Sequence, residues 1–254
     1  GDSIATVQYL LSKGYPTVLI SPSATSPALT GEPDRLSQDD EFGLFWRTAP
    51  SDELQGQVLA TEVAGVYPAP SIITRVVAAY RDDPYGLGLA NAFQVSFGGE
   101  TLLQSFDVGG DLVAAAAAAA AAAPDAVLFV DIGGDRATAF IEAMAAEPAL
   151  ADLPLYLADG SKTDTLLDAA LPTASKNIIF TNAVGTVAAS PAGATFTLFQ
   201  SRYQSEWGKD PANFAFTANG YDAVFVPGGR ESVDALKKQG ESRIERAENF
   251  IKAL

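Results

Sequence analysis

Residues 75–147 read RVVAAYRDDPYGLGLANAFQVSFGGETLLQSFDVGGDLVAAAAAAAAAAPDAVLFVDIGGDRATAFIEAMAAE, and their alternation decides the fold class. Three short apolar runs, Arg75–Tyr80, Thr101–Phe106 and Ala126–Asp131, are bounded by Gly, Pro or Asp, as strands buried on both faces are. Beside them lie segments of helical length: Tyr85–Phe97, Asp111–Ala123 and Asp135–Glu147. The ten consecutive alanines at 114–123 are opened by Gly109-Gly110-Asp111 and stopped by Pro124. Alanine is the best helix former, and its small side chain lets a helix approach a sheet closely. Further on, strand Leu155–Ala158, helix Lys162–Leu171 and strand Asn177–Asn182 continue the pattern. Strand then helix, repeated, predicts an α/β fold whose parallel sheet is covered by helices on both faces.

Outward from this block the elements thin out. Upstream, an apolar-periodic helix (Ile4–Leu11) ends at Gly14, and a strand (Thr17–Ile20) follows. A loop rich in Ser, Pro and Thr, the acidic stretch Asp39-Asp40-Glu41 and a second strand (Leu44–Thr48) complete the upstream part. Downstream, helices are expected at Ala194–Trp207 and Ala215–Val226, and Pro227-Gly228-Gly229 forces a break. Residues 231–254 place Val233, Leu236, Ile244, Phe250 and Ile251 amid alternating charge, a pattern that suits a surface helix.

Composition removes whole classes of function. The chain of 254 residues carries 31 acidic and 16 basic side chains, a formal charge of −15. That charge repels phosphate backbones and anionic lipid, so neither nucleic acid nor direct membrane insertion is expected. There is no cysteine and no histidine. Thiolate nucleophiles, disulfides and imidazole-based acid–base or metal chemistry are therefore absent from this chain. Carboxylate or lysine chemistry, hard-cation sites or binding without chemistry remain. The alanine run is too short to span a bilayer. The start Gly1-Asp2-Ser3 lacks the features of a signal peptide, so any export signal is expected to be removed or to lie upstream. Asp39-Asp40-Glu41 reads as a solvated loop before a strand rather than a metal or glycosidase site. Gly86-Leu87-Gly88 has Asn91 where a dinucleotide loop needs its third glycine. Neither stretch is therefore expected to hold a metal or cofactor.

Five motifs stand in a telling order. Ile20–Thr30 reads ISPSATSPALT; Phe45–Pro50 reads FWRTAP, followed by Ser51-Asp52 and Gln55-Gly56. Then come Asp82-Asp83-Pro84-Tyr85-Gly86 with Gly88-Leu89-Ala90, Pro124-Asp125-Ala126-Val127, and Phe216-Thr217-Ala218-Asn219-Gly220-Tyr221-Asp222-Ala223-Val224. In this order and spacing, residues 2–226 resemble the type I periplasmic binding proteins of the branched-chain amino-acid class, the Leu/Ile/Val-binding components of ABC transporters. The resemblance implies two α/β lobes joined by three crossings, with the ligand held between them. On that template 1–50 and 183–254 belong to lobe one and 51–182 to lobe two, with hinge passages at Leu44–Pro50 and Thr181–Val187. Lobe one would be incomplete, because the chain opens at the equivalent of its third helix and ends before the last hinge passage.

The function so implied is a solute-binding protein of an ABC importer, exported to the periplasm or cell surface. It closes on a small amino acid or similar zwitterion, presents it to a membrane permease and catalyses nothing. A ligand-sensing receptor or regulatory domain of the same fold is the competing expectation. An amino acid needs hydroxyl and N–H donors for its carboxylate and an acidic acceptor for its ammonium. The resemblance assigns the donors to Ser23, Ala24 (through its backbone) and Thr25, and the acceptor to Asp159, where relatives often carry the longer glutamate. It also places the ring of Tyr85 over the ligand and Asp135 at a cleft-facing position. Each has a structural alternative: turn and cap residues for Ser23 and Thr25, a helix cap for Asp159 and Asp135, and packing at a helix start for Tyr85.

Overall fold

A computed structural model describes residues 2–31, 33–40, 42–65, 73–163, 166, 183–185, 193–213 and 216–224. The chain opens with α1 (Asp2–Lys13), β1 (Leu19–Ser21), the single turn α2 (Ala28–Gly31), β2 (Phe45–Arg47) and α3 (Asp52–Gly65). β1 and β2 pair in parallel as a two-stranded sheet, with Ile20 opposite Trp46. Next come β3 (Arg75–Arg81), α4 (Pro84–Ser96), β4 (Glu100–Phe106), α5 (Leu112–Ala121), β5 (Ala126–Val130), α6 (Gly134–Ala146) and β6 (Leu155–Leu157). A 3-10 turn at Asp159–Ser161 and β7 (Ala183–Gly185) follow. The strands of this second sheet are all parallel and run in the order β4-β3-β5-β6-β7. Two further helices, α7 (Ala194–Trp207) and α8 (Thr217–Val224), flank a 3-10 turn at Pro211–Asn213.

The central strands β3, β5 and β6 are buried on both sides, and their successive side chains feed opposite cores. Val77, Ala79, Val127, Phe129, Leu155 and Leu157 point to one face, against Ala115, Ala116 and Ala119 of α5 and Phe140 and Met144 of α6. Their neighbours Val76, Ala78, Leu128, Val130 and Tyr156 meet Leu59 and Val63 of α3 and Leu89 and Phe93 of α4. The alanine run therefore packs as the close-lying helix its composition predicts. Phe129 stacks on Phe140 with ring centroids 4.2 Å apart and on Phe106 at 5.7 Å.

Most expected elements that fall on described residues stand within two residues of their expected ends. Helix α3 was not anticipated. Its buried positions include the polar Asp52 and Gln55, while Leu54 and Val58 lie on the exposed side, so the apolar stripe that betrays a surface helix is blurred. The described strand after β6 is Ala183–Gly185, whereas a strand was expected at Asn177–Asn182. Residues 177–182 lie outside the described residues, as do most of the expected helix Lys162–Leu171 and all of 225–254.

Gly56 is where α3 crosses α4. A Cβ there would stand 2.6 Å from the Ala92 carbonyl carbon and 2.7 Å from the Phe93 nitrogen, both backbone atoms that cannot rotate away. Gly56→Ala is expected to destabilise the chain by about 1–3 kcal/mol through overpacking, despite alanine's better helix propensity. A urea titration checks this: the midpoint drops while the slope stays the same.

Candidate ligand site

Parallel strands release their chains on one edge of a sheet, and the helices that follow turn their N-terminal ends to the same edge. Tyr85 leaves the end of β3 in this way and Asp159 the end of β6, while Asp52 follows β2 and Thr25 follows β1. In the loop after β1, Ser21 Oγ accepts the Ala24 N–H at 3.0 Å and the Ser23 N–H at 3.4 Å, a tight turn that leaves Ser23 exposed and delivers Thr25 and Ser26 to the interior. Arg47 fastens the loop from beneath, donating to the carbonyls of Thr25 and Ser26, both at 3.0 Å, and to Thr30 Oγ1 at 2.6 Å. Two bonds then carry the loop across to the helices. The Asp52 N–H donates to the Thr25 carbonyl at 2.9 Å, and Ser26 Oγ donates to the Pro84 carbonyl at 2.7 Å.

On the other side, Asp83 caps α4 by accepting the Gly86 N–H at 2.8 Å, which sets the first turn and with it Tyr85. Tyr85 Oη donates to Asp159 Oδ1 at 2.7 Å. Gly160 completes this corner: its N–H donates to Tyr85 Oη at 3.4 Å and its carbonyl accepts the Gly133 N–H at 2.9 Å. A Cβ at residue 160 would stand 2.6 Å from the Asp131 carbonyl oxygen and 3.0 Å from Tyr85 Oη, so only glycine fits. Beneath lies an ion network in which Asp131 pairs with Arg136 at 2.8 Å and with Arg81 at 3.5 Å, and Arg81 pairs with Asp83 at 2.8 Å. It locks the ends of β3 and β5 to α6 and so supports the 131–133 loop to which Gly160 is hydrogen-bonded.

The electrostatics of this corner are unusual for two aspartates. Asp52 is 1% exposed and Asp159 2%. Burial first, and then the Asp159 carboxylate, push the Asp52 carboxyl up to about 7, against partial relief from a Thr25 hydrogen bond and the Arg47 charge. Burial likewise raises Asp159, against the lowering influence of Tyr85, Gln55 and the Gly160 N–H. The Tyr85 hydroxyl is held well above its ordinary value by burial and by both carboxylates, so it stays a proton donor. Among the described residues, the two Asp52 oxygens, beside the Thr25 hydroxyl, and the two amide atoms of Gln55, beside Asp159, are buried without a well-formed hydrogen bond. Three of these atoms are acceptors, two of them carboxylate oxygens, and a cation that brings N–H donors would stabilise them.

No family model and no curated protein matches the chain. Solved structures do. A leucine binding protein LivK from Thermotoga maritima superposes with a TM-score of 0.69 at 21% identity, over 98% of this chain and 65% of that one. The branched-chain amino acid transporter substrate binding protein LivJ from Streptococcus pneumoniae, solved with isoleucine, gives 0.62 at 20% identity over 98% and 65%. A fatty acid ABC transporter substrate-binding protein from Thermomonospora curvata gives 0.64 at 15% identity over 98% and 60%.

This chain has the type I periplasmic-binding-protein fold. It spans about two thirds of the length of the LivK and LivJ chains that it resembles.

Within this periplasmic-binding-protein fold, three of the residues singled out from sequence come together: Thr25, Tyr85 and Asp159, linked through Asp52. Ala24 lies in the same loop, but its N–H is engaged by Ser21. Ser23 is exposed on that loop, and Asp135 is exposed in the first turn of α6, outside the buried cluster. Asp52 and Gln55 also stand in this cluster and were not singled out from sequence, although both belong to the motif following FWRTAP. Their spacing of three puts them on one helix face. Once a helix is recognised directly after β2, its first turn belongs at the strand-end crevice. Among the described residues, no group of three acidic side chains could hold a metal ion, and no helix is long and apolar enough to cross a membrane.

Proposed function

We propose that this chain binds a small amino acid, with a branched-chain one favoured, as part of the exported solute-binding component of an ABC importer, and that it performs no catalysis. The observation that carries the reading is the buried juxtaposition of Asp52, Asp159 and Tyr85 beside Thr25. The ligand ammonium sits at the two carboxylates. Its carboxylate meets the hydroxyls of Ser23 and Thr25, on a loop whose turn at Ala24 sets their spacing. Residues 1–50 and 183–254 form one lobe and 51–182 the other, and their closure presents the ligand to a membrane permease. The likeness to LivK and LivJ supports the ligand class, and the buried acid pair adds a reason from this chain's own chemistry. A fatty acid or other simple anion would meet two carboxylates with no cation of its own.

The energetics are sufficient. Micromolar affinity corresponds to about 8 kcal/mol, and hydrogen bonds to charged groups contribute roughly 1.5–3 kcal/mol each. Calorimetric titration with leucine, isoleucine and valine tests the proposal, with isovalerate, which lacks the ammonium, as the control. Binding of at least one amino acid and none of isovalerate is expected; no heat from any amino acid overturns the reading. Tyr85→Phe removes one hydrogen bond to Asp159 while keeping the ring, and is expected to weaken binding by about 5–30-fold. An unchanged affinity in that variant would remove Tyr85 from the site.

A further inference from the structure

The two sheets are separate; the loop after β1 belongs to the smaller and α4 to the larger. Two side-chain hydrogen bonds cross from one body to the other beside the candidate site. Ser26 Oγ, next in the chain to Thr25, donates to the carbonyl of Pro84, next to Tyr85, at 2.7 Å. Lys162 Nζ, three residues past Asp159, donates to the Ala212 carbonyl at 3.0 Å. The first bond is the better shielded, because Ser26 is 7% exposed while the Lys162 bond lies at the surface. Both ends of the Ser26 bond are fixed. Arg47 holds the Ser26 carbonyl at 3.0 Å, and Asp83 caps α4 one residue before Pro84. The loop also lies closer to α4 than a side chain allows. A Cβ at Gly88, one turn beyond Pro84, would stand 2.7 Å from Pro27 Cδ, a ring atom that cannot rotate away, and 3.4 Å from Ser26 Oγ. Alanine is the better helix former, so what glycine supplies at 88 is this close approach.

We propose that Ser26 is a latch: seated over Gly88, its bond to the Pro84 carbonyl holds the two lobes shut and sets how long a ligand is retained. The inference rests on the two-lobed amino-acid-binding reading above and adds a named closing contact to it. A ligand gripped between Thr25 and Asp159 needs the closed arrangement, so its apparent affinity scales with the closed fraction. Release requires opening, which breaks the Ser26–Pro84 bond. Entry uses the open form, in which that bond is not made. A weaker latch therefore speeds dissociation and leaves association nearly unchanged. It also acts on every ligand by the same factor, whereas a side chain that touches the ligand alters the preference among them.

Stopped-flow kinetics with leucine, isoleucine and valine on the full chain reads this directly. Ser26→Ala is expected to raise the dissociation rate of each bound amino acid by one common factor of about 3–10, the worth of a single shielded hydrogen bond, with association rates within about twofold. Gly88→Ala, favourable for α4 taken alone, is expected to exceed that factor because Pro27 can no longer seat. Unchanged dissociation in Ser26→Ala, or a factor that differs among the amino acids, overturns the proposal. A second readout needs no ligand. The chain has no cysteine, so Gln38→Cys and Ala118→Cys, both exposed and one on each body, take spin labels selectively. In the ligand-free protein their distance distribution is expected to shift when Ser26→Ala or Gly88→Ala is added. An identical distribution with and without these substitutions overturns the latch. If no amino acid binds, the binding reading falls, and the spin-label distances alone decide whether Ser26 holds the lobes together.

Discussion

Asp159→Asn is expected to weaken amino-acid binding by about 100-fold, the largest loss from any single substitution in the site. The substitution keeps size and shape, so the Tyr85 hydroxyl retains an oxygen to which it can donate. It removes the negative charge from a position that is 2% exposed, where water cannot take the place of the lost partner. A buried ammonium facing an amide is then only partly compensated, and truncating one partner of such a pair typically costs 2–5 kcal/mol. Calorimetry on both proteins, with circular dichroism to establish that the variant is folded, checks the result. Asp135→Asn serves as the counterpart. Its side chain is exposed at the start of α6, so the same change of charge there is expected to leave affinity within about twofold, as exposed charges generally do. Equal losses in the two variants would mean that net charge, and not the buried corner, governs binding.

The second large effect is on stability, and its sign follows from the raised Asp52 carboxyl. In the unfolded chain this group titrates near its ordinary 3.8; in the folded protein it titrates at about 7. Below the unfolded value both states are protonated and the group costs folding nothing. As pH rises from 4 to 7, the unfolded chain sheds the proton while the folded chain keeps it, so stability falls. Each tenfold difference in proton affinity is worth about 1.4 kcal/mol, so the loss approaches roughly 4 kcal/mol above pH 7. Asp52→Asn is therefore expected to be more stable than the unaltered protein at pH 8, with the advantage fading as the pH approaches 4. Asp159 is raised by burial as well and acts in the same direction in both proteins. Asp125, held low by hydrogen bonds from Thr74 and Arg75, acts in the opposite direction, its contribution being lost only in acid. Asp125 is common to the two proteins, so the difference between their urea-derived stabilities reports Asp52 together with its coupling to Asp159. A difference that stays flat from pH 4 to 8 would show that residue 52 is solvated in the folded protein.

The large parallel sheet could be read from the chain because its signal is local. Arg75–Arg81 and Ala126–Val130 are apolar throughout, bounded by polar or turn residues and separated by helical segments, and no long-range information is needed to see that both faces are buried. Ala194–Trp207 was equally plain, and its expected ends are the observed ones. α3 escaped because its sequence says the opposite of its environment at four positions. Asp52 and Gln55 are buried, and Leu54 and Val58 are exposed. A hydrophobic pattern reports the average solvent exposure of a face, and it fails where a site is built from polar groups turned inward.

The site divides along the same line. Thr25, Tyr85 and Asp159, the members of the cluster that the sequence singled out, each stand in a motif with a recognisable neighbourhood, and each follows a strand. Their meeting with Asp52 spans separations of 27, 33 and 107 residues along the chain, and motif spacing does not encode it.

The order of residues thus determined that this would be an acidic α/β protein without histidine or thiol chemistry, and which loops would follow which strands. Tertiary structure alone decided which acids matter. Asp52 and Glu53 are adjacent carboxylates in the first turn of one helix, yet the first is 1% exposed and the second is open to water. A carboxyl group's affinity for a proton or an ammonium depends on what surrounds it, and those surroundings exist only once distant strand ends have been brought to a common edge.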